Sequence, residues 1–336
     1  MRCGCELPPE AIIAPVPRYD ETVSMYHEFV TDTPVIFLMG PTASGKSRLA
    51  MTLACSLGME IVNADSVQIY RGLEIGSAKP DAAERRRVPH HLLDVTDPDC
   101  PWSADRYREA AWETIRKLHQ RKIVPLFVGG SGLYLRAVEQ GLALTPPIDE
   151  ALLRTIRHQG EEQGWPRMHQ RLMTVDPESA QKITPGDAQR ILRALSVHQA
   201  TGTPLSTWQQ QQPPPPPWRI LKLALIPPRE ILYPRIEARF DRMMAQGLLD
   251  EAATLLTHGY DRGLPAMKAV GYRQLFQHLD GEISLEEAID NAKRESRRYA
   301  KRQETWLKRE SAVIPLSEAR QEEEALSHIQ SWLALV

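Results

Sequence analysis

The run from Gly40 to Ser47, Gly-Pro-Thr-Ala-Ser-Gly-Lys-Ser, lies between an apolar segment at 35–39 and a helical pattern that begins near Arg48. Glycines at both ends let the backbone wrap around an anion, and amide N–H groups at the start of a helix point at it. Lys46 adds a positive charge, and the Ser47 hydroxyl is a ligand for Mg²⁺. This pattern predicts a binding loop for a di- or triphosphate, formed by Gly40, Pro41, Thr42, Ala43, Ser44, Gly45, Lys46 and Ser47.

The composition is that of an ordinary globular protein. With 336 residues, 42% of them hydrophobic, the chain can form one large α/β domain with an addition, or two domains. A net charge of −2 gives no global signature of nucleic-acid binding, so such a partner requires a local basic patch. No apolar stretch approaches the roughly 20 residues that span a bilayer. The four cysteines, Cys3, Cys5, Cys55 and Cys100, lack zinc-site spacing. We therefore expect a cytoplasmic protein without a zinc site or a membrane partner.

Two further strand-like segments end in residues that suit a ligand site. Residues 59–64 lead to Asp65, and residues 123–128 lead to the turn Gly129-Gly-Ser-Gly132. The carboxyl ends of parallel strands meet at one edge of a sheet, and α/β proteins bind ligands there. Asp65 and Ser131 are therefore predicted to lie near the phosphate loop.

These segments predict an α/β fold in which a P-loop NTPase-like parallel sheet carries an inserted all-helical domain and a helical C-terminal region. From about Pro146 to Ser206 the pattern contains helices and no strand candidate, and the Gln- and Pro-rich run that follows suits an extended spacer. The expected divisions are an N-terminal extension at 1–32, a catalytic core at 33–145 and 218–316, a helical insertion at 146–207, the spacer at 208–217 and a C-terminal tail at 317–336.

A long helical pattern from Leu285 to about Lys308 carries many cations. Residues at three- and four-residue spacing predict the side that packs on the protein: Ile289, Ala292, Ser296, Tyr299, Gln303 and Trp306. Much of the remaining surface of the helix is basic: Lys293, Arg294, Arg297, Arg298, Lys301, Arg302, Lys308 and Arg309. Solvated helix faces usually mix signs, so this density favours a polyanion as partner.

A phosphate loop by itself points first to NTP hydrolysis or phosphoryl transfer. The apolar strand before Gly129, however, does not end in the metal-holding Asp of such enzymes, and Asp94 is a weak substitute. Asp65 and Gln68 instead supply a carboxylate and an amide beside the loop, and Ser131 supplies a hydroxyl. These groups can accept a proton and position a second substrate. On the residues alone, a helix-capping role for Asp65 is equally compatible.

Eight short runs stand in order along about residues 34–309. They are Gly40-Pro-Thr-Ala-Ser-Gly-Lys-Ser47, Asp65-Ser66-x-Gln68-Ile-Tyr70, Ile75-Gly-Ser-Ala-Lys-Pro80, His90-His-Leu-Leu-Asp94, Gly129-Gly-Ser-Gly-Leu-Tyr134, Asp187-Ala-Gln-Arg-Ile-Leu-Arg-Ala-Leu195, Val270-Gly-Tyr-Arg-Gln274 and Arg298-Tyr-Ala-Lys-Arg-Gln-Glu-Thr-Trp306. Together they resemble the tRNA dimethylallyltransferase family. No cysteine follows Ser311, where eukaryotic relatives often carry a zinc finger, so the chain is more similar to the bacterial form.

The resemblance implies transfer of a dimethylallyl group from its diphosphate to N6 of the adenosine on the 3′ side of the anticodon, in tRNAs that read codons beginning with U. The phosphate loop then binds a leaving group, whose charge Lys46 and a Mg²⁺ ion held by Ser47 can neutralise. Because the adenine amino group is a poor nucleophile, Asp65 is predicted to accept its proton. Ser131 stands where the family usually has threonine and keeps the hydroxyl.

The target adenosine must leave the anticodon stem-loop and enter the protein. The resemblance implies tRNA contacts by four groups of residues: Asp65, Ser66, Val67 and Gln68; Gln189, Arg190, Ile191, Leu192 and Arg193; Lys268, Ala269, Val270, Gly271, Tyr272 and Arg273; and Lys301, Arg302, Gln303, Glu304, Thr305, Trp306, Leu307 and Lys308. The expected partners are thus tRNA and dimethylallyl diphosphate, bound by a monomer with Mg²⁺ as cofactor.

Three alternatives stay open on the sequence. A small-molecule kinase or other NTPase predicts phosphoryl transfer from ATP. An adenylate prenyltransferase that makes a cytokinin-type nucleotide shares the catalytic core but has little use for the insertion and the basic helix. A non-catalytic RNA-binding protein uses the loop only as a static anion site.

Overall fold

The computed structural model describes residues 33–142, 145–146, 148–210, 216 and 218–335. The predicted N-terminal extension lies outside these residues, as does most of the predicted spacer. The chain forms two compact units: one runs to Glu139 and resumes at Pro216, and the other comprises Gln140–Pro215.

The first unit is built on a six-stranded sheet in the order β3-β2-β4-β1-β5-β6, with parallel pairing between neighbours. The strands are β1 (Thr33–Met39), β2 (Glu60–Ala64), β3 (His90–His91), β4 (Pro125–Gly129), β5 (Trp218–Ala224) and β6 (Val313–Pro315). In register, Met39 pairs with Gly129 of β4 and with Ala224 of β5. The turn after β1 therefore emerges beside the end of β4, at the carboxyl edge of the sheet.

Helices cover both faces of this sheet. They are α1 (Lys46–Leu57), α2 (Ala82–Arg87), α3 (Ala104–Gln120), α4 (Gly132–Gln140), α10 (Arg229–Ala245), α11 (Leu248–Thr257), α12 (Tyr272–Leu279), α13 (Leu285–Leu307) and α14 (Gln321–Leu333). Side chains of a strand alternate between faces. In β1, Val35 and Phe37 accordingly pack into the core beneath α3 and α10, whereas Ile36 and Leu38 pack beneath α1 and α14. The chain thus adopts the predicted α/β class with a parallel sheet.

The second unit is helical, with α5 (Glu150–Gln163), α6 (Trp165–Val175), α7 (Pro177–Lys182), α8 (Ala188–Thr201) and α9 (Leu205–Gln210). Its own core contains Ile156, Leu172 and Ile191, all fully buried. The Asp176 carboxylate accepts hydrogen bonds from Ser179 and Ser206, which ties α7 to α9.

The C-terminal segment differs from the expected tail. Within the predicted 317–336 tail, α14 buries Ala325 and Ile329 completely against the core on the α1 side. The Arg219 guanidinium also lies over the Trp332 ring, 4.4 Å from its centroid. The segment therefore completes one layer of the fold. Among the described residues, no helix combines the length and the apolar composition needed to cross a bilayer.

Candidate active site

The loop between β1 and α1 folds back around the start of the helix. Gly45 has a φ of 93°, in the left-handed region that favours glycine, and Ala43 also has a positive φ, 63°. The Lys46 Nζ donates to the Pro41 carbonyl oxygen at 3.3 Å. Among the residues that the structure describes, no side chain caps α1 at its N-terminus. The first N–H groups of α1 thus lie beside Lys46, as an anion site requires.

The charge of Lys46 responds to its surroundings. Burial, reinforced by the positive charge of Arg239 and opposed by Asp65, lowers the pKa of Lys46 to about 8. A nearby negative charge favours the protonated form of a lysine. A phosphate group bound at the loop would therefore raise this pKa again and hold Lys46 in its charged form.

Asp65 follows β2 directly and shapes the turn that carries it. Its Oδ1 accepts a hydrogen bond from the Val67 N–H at 2.8 Å, while its own N–H donates to Asn63 Oδ1 at 2.9 Å. The Ser66 N–H donates to Ser131 Oγ at 3.0 Å, so the predicted serine braces the same turn from β4. The helix-capping role considered for Asp65 is wrong, because a turn and not a helix follows it; one carboxylate oxygen stabilises that turn. Within the described residues, no hydrogen bond involves Asp65 Oδ2.

Two cavities meet at Lys46, Asp65 and Arg239. The first, of about 350 Å³, runs along α1 and reaches the exposed Ser47 hydroxyl. The second, of about 320 Å³, has an apolar wall and a polar wall. The apolar wall contains Ile236, Phe240, Leu248 and Val270. The polar wall contains Ser296, Tyr299, Arg302 and Gln303. The predicted phosphate loop and the Asp65 carboxylate thus lie where one cavity opens into the other.

Arg239 is a site residue that sequence reasoning missed. It lies on α10, where Ile236, Phe240 and Met243 are buried, and it borders both cavities. Its Nη2 lies 3.5 Å from the Ser77 carbonyl oxygen. The sequence does contain a pattern that indicates this role. Arg239 stands three residues after Ile236 and four before Met243, which places a cation on the apolar side of an amphipathic helix.

Gln303 joins α13 to the phosphate loop. Its Oε1 accepts a hydrogen bond from the Thr42 N–H at 2.9 Å, and its Nε2 donates to the Gly130 carbonyl oxygen at 3.1 Å. The side chain is buried, as the predicted packing seam requires. It therefore holds the loop after β1 against the turn after β4.

Some residues predicted to contact tRNA offer no exposed side chain. The side chains of Ile191, Tyr272 and Leu307 are buried in their own cores in this structure, whereas the buried Gln303 side chain borders the second cavity. Contacts of these residues with tRNA stay a prediction. The ranges contain these residues because periodic packing positions alternate with exposed ones along a helix. Other members of the same ranges are exposed: Gln189, Arg190, Arg193, Lys268, Arg273, Lys301, Arg302, Thr305 and Lys308. The first three lie on α8 in the second unit.

The cations of α13 fall into two groups. Four of them pair with carboxylates of α10 or of α13 itself: Lys293 with Asp241, Arg297 with Glu237, Arg298 with Glu295 and Lys308 with Glu304. Within the described residues, four others form no ion pair: Arg294, Lys301, Arg302 and Arg309. The net positive charge that this helix presents is thus smaller than its sequence indicated, because two of its cations form ion pairs that join α13 to α10.

Asp94 does not serve as the substitute metal ligand considered for it. Its carboxylate accepts hydrogen bonds from Lys79 at 2.5 Å and Arg85 at 2.6 Å. Burial alone would raise the pKa of Asp94, but these two bonds outweigh it and hold the pKa below its ordinary value. Both carboxylate oxygens of Asp94 are thus taken by these cations, and the residue fixes the segment around Lys79.

Comparison with known proteins gives consistent relatives. The family model described as IPP transferase matches residues 68–310. A tRNA dimethylallyltransferase of Magnetococcus marinus is 49% identical over 300 residues, which cover 88% of this chain and 98% of that protein. One of Geobacter metallireducens is 47% identical, over 84% of this chain and 92% of that protein.

A solved structure agrees with the sequence relatives. The full-length tRNA isopentenylpyrophosphate transferase of Bacillus halodurans is 35% identical to this chain, with a TM-score of 0.66. The likeness covers 89% of this chain and 96% of that one. The predicted fold class is thereby confirmed.

Proposed function

This chain belongs to the IPP transferase family, and from that membership we infer that it is an enzyme that transfers a prenyl group to tRNA. The specific reaction we propose moves the dimethylallyl group of dimethylallyl diphosphate to N6 of the adenosine on the 3′ side of the anticodon, in tRNAs that read U-initial codons. One observation supports it most: the phosphate loop, Asp65 and Arg239 converge where two cavities meet. A diphosphate can enter from one chamber and a nucleobase from the other.

The leaving group accounts for the cations at this point. As the bond between C1 and oxygen breaks, the diphosphate leaves with the electron pair and gains charge. With a diphosphate at the loop, the loop N–H groups, Lys46 and Arg239 would lie beside the oxygens that gain charge, and preorganised donors of this kind stabilise such charge at little reorganisation cost. The phosphate loop therefore serves a reaction without phosphoryl transfer.

Asp65 is proposed to take the proton from the nucleophile. The N6 nitrogen forms its bond to C1 and must lose one proton. Because Asp65 Oδ1 already accepts from Val67, the carboxylate is held in place by the turn while Oδ2 remains for N6. Ser131 is proposed to support this step through its bond to Ser66.

The residues at the start of α1 fit a magnesium ion bound together with the substrate. Among the described residues, no group of three or more His, Cys, Asp or Glu side chains could hold a metal by itself. Ser47 is exposed beside the loop. Mg²⁺ commonly takes one or two protein oxygens together with phosphate oxygens and water, so Ser47 would hold it. When bound, Mg²⁺ supplies further neutralisation of the diphosphate.

The tRNA surface is proposed from the exposed members of the predicted ranges. Lys268 and Arg302 border the second cavity, and Lys301 lies on the same helix as Arg302 without an ion pair among the described residues. Phosphate contacts by such cations orient a nucleic acid without reading its sequence. The anticodon stem-loop would then present its adenosine to the second cavity. We further propose that the enzyme acts as a cytoplasmic monomer.

The test supplies purified protein and Mg²⁺ with dimethylallyl diphosphate labelled in the allyl group. One tube contains unmodified tRNA that reads a U-initial codon, a second contains the same tRNA with guanosine at the target position, and a third contains AMP. Label in the first tube alone is expected. Label in AMP alone would instead establish an adenylate prenyltransferase, and label in none, with ATP consumed in a parallel assay, would establish the kinase alternative.

A further inference from the structure

Glu251 on α11 accepts four hydrogen bonds at one carboxylate. Its Oε2 accepts from the N–H groups of Glu74 at 3.0 Å and Ile75 at 2.8 Å, and its Oε1 accepts from the Gly76 N–H at 3.1 Å. The Tyr272 hydroxyl donates to Oε1 at 2.5 Å. Three consecutive backbone N–H groups that converge on one anion form a nest. In the described part of the chain, Glu251 forms no ion pair, so this nest is its main stabilisation.

The segment held by Glu251 forms part of the wall of the proposed active site. Gly76 and Ser77 border the second cavity, and residues 77–80 border the first. The Gly76 backbone lies against the Tyr272 ring so closely that an added Cβ would lie 2.5 Å from it. Glu251 and Tyr272, which border neither of these two cavities, therefore fix this wall.

The same segment holds two side chains of the site. The Gln68 Nε2 donates to the carbonyl oxygens of Ser77 at 3.0 Å and Ala78 at 3.1 Å. Arg239 approaches the Ser77 carbonyl oxygen at 3.5 Å. A short chain of contacts thus runs from Glu251 through residues 74–78 to Gln68 and Arg239.

We propose that Glu251 is a positioning residue for the transfer reaction, which acts through residues 74–78 on Gln68 and Arg239. The inference rests on the proposed function, because it names a residue that supports the same site. A glutamine at 251 would keep the shape and one acceptor oxygen, but its NH₂ would face either the Gly76 N–H or the N–H groups of Glu74 and Ile75, so that at least one partly buried backbone donor loses its acceptor. The segment would shift to rehydrate that donor and would carry the Ser77 carbonyl oxygen with it.

The experiment compares Glu251→Gln with Asp250→Asn in the transfer assay with labelled dimethylallyl diphosphate and tRNA. Asp250 is an exposed acid in the same first turn of α11, so its replacement removes the same charge and helix-end interaction without touching the nest. We expect kcat/KM for tRNA to fall by about tenfold or more in Glu251→Gln, on the scale of a lost charge-assisted hydrogen bond. Asp250→Asn should stay within about twofold of the wild type.

A double-mutant cycle separates positioning from a general loss of stability. If Glu251 acts through Gln68, the loss of kcat/KM in Glu251→Gln combined with Gln68→Ala should be clearly smaller than the product of the two single losses. A second cycle combines Glu251→Gln with Arg239→Met. Multiplicative losses in both cycles would show that Glu251 positions neither side chain, and would overturn the inference. Tyr272→Phe removes one bond of the four and provides a second variant, with a smaller expected loss, should Glu251→Gln fail to fold.

The wild-type assay separates the two claims. If the wild-type chain transfers label to tRNA and Glu251→Gln matches it, the inference fails and the proposed function stands. If the wild-type chain transfers no label, the proposed function fails, and the inference fails with it.

Discussion

The phosphate loop at 40–47 and the helical wall formed by α10, α11 and α13 border the proposed active site in different ways. The loop relies on consecutive residues and on backbone N–H groups at the start of α1. The wall relies on long side chains from distant parts of the chain, such as Arg239 and Gln303, and on Glu251, which holds the segment at 74–76. Backbone donors are fixed by local conformation, whereas side-chain donors need partners that hold them. The wall is therefore the part of the site that depends on tertiary packing.

Removal of the negative charge of Asp65, which lies between the two regions, should reduce activity more than any other substitution considered below. Asp65→Asn keeps an oxygen that can accept the Val67 N–H, so the turn should persist, but the amide cannot take the N6 proton. We expect kcat to fall by about 10²- to 10⁴-fold, the usual contribution of a general base. The rate of single-turnover transfer to tRNA from dimethylallyl diphosphate labelled in the allyl group measures this loss. Near-normal transfer with tRNA still bound would rule out Asp65 as the base.

Parallel substitutions compare the two regions directly. Lys46→Met should lower kcat/KM for dimethylallyl diphosphate by about 10²- to 10³-fold, and Arg239→Met by about 10- to 10²-fold. The wall variant should lose less because the loop N–H groups still neutralise the diphosphate when Arg239 is absent. Steady-state kinetics at saturating tRNA gives both values. A greater loss in Arg239→Met than in Lys46→Met would show that the wall, rather than the loop, is the main anion site.

Predictability from sequence follows the same division. The loop and the strand ends at Asp65 and Ser131 were predicted because local patterns define them, and the structure places these residues side by side. Arg239 belongs to no short motif, and its position depends on how α10 packs across the sheet. The pairing of Lys293 and Arg297 with carboxylates of α10 likewise requires two helices to be adjacent, which charge counting along one helix cannot reveal.

The pH dependence tests whether the two regions share their electrostatics. Lys46 has a pKa of about 8, lowered by burial and by Arg239, so its neutral form predominates above that pH in the enzyme without diphosphate. We expect kcat/KM for dimethylallyl diphosphate to fall above pH 8, by about tenfold for each further unit. Removal of the positive charge in Arg239→Met removes one cause of the lowered pKa, so the fall should move to higher pH. Profiles measured from pH 6 to 10 would contradict this if both stay flat.

The smallest effect should separate the two groups of cations on α13. Lys301 is exposed and has no ion pair among the described residues, whereas Lys293 pairs with Asp241 at 2.6 Å. Because tRNA binding releases counterions for each neutralised phosphate, Lys301→Gln should reduce the slope of log affinity against log salt by about 0.7 to 0.9. Lys293→Gln should leave that slope unchanged and cost about 0 to 1 kcal/mol of folding stability, since the pair is partly exposed. Equal slope changes in the two variants would mean that tRNA displaces Asp241 from Lys293, and that the wall rearranges when tRNA binds.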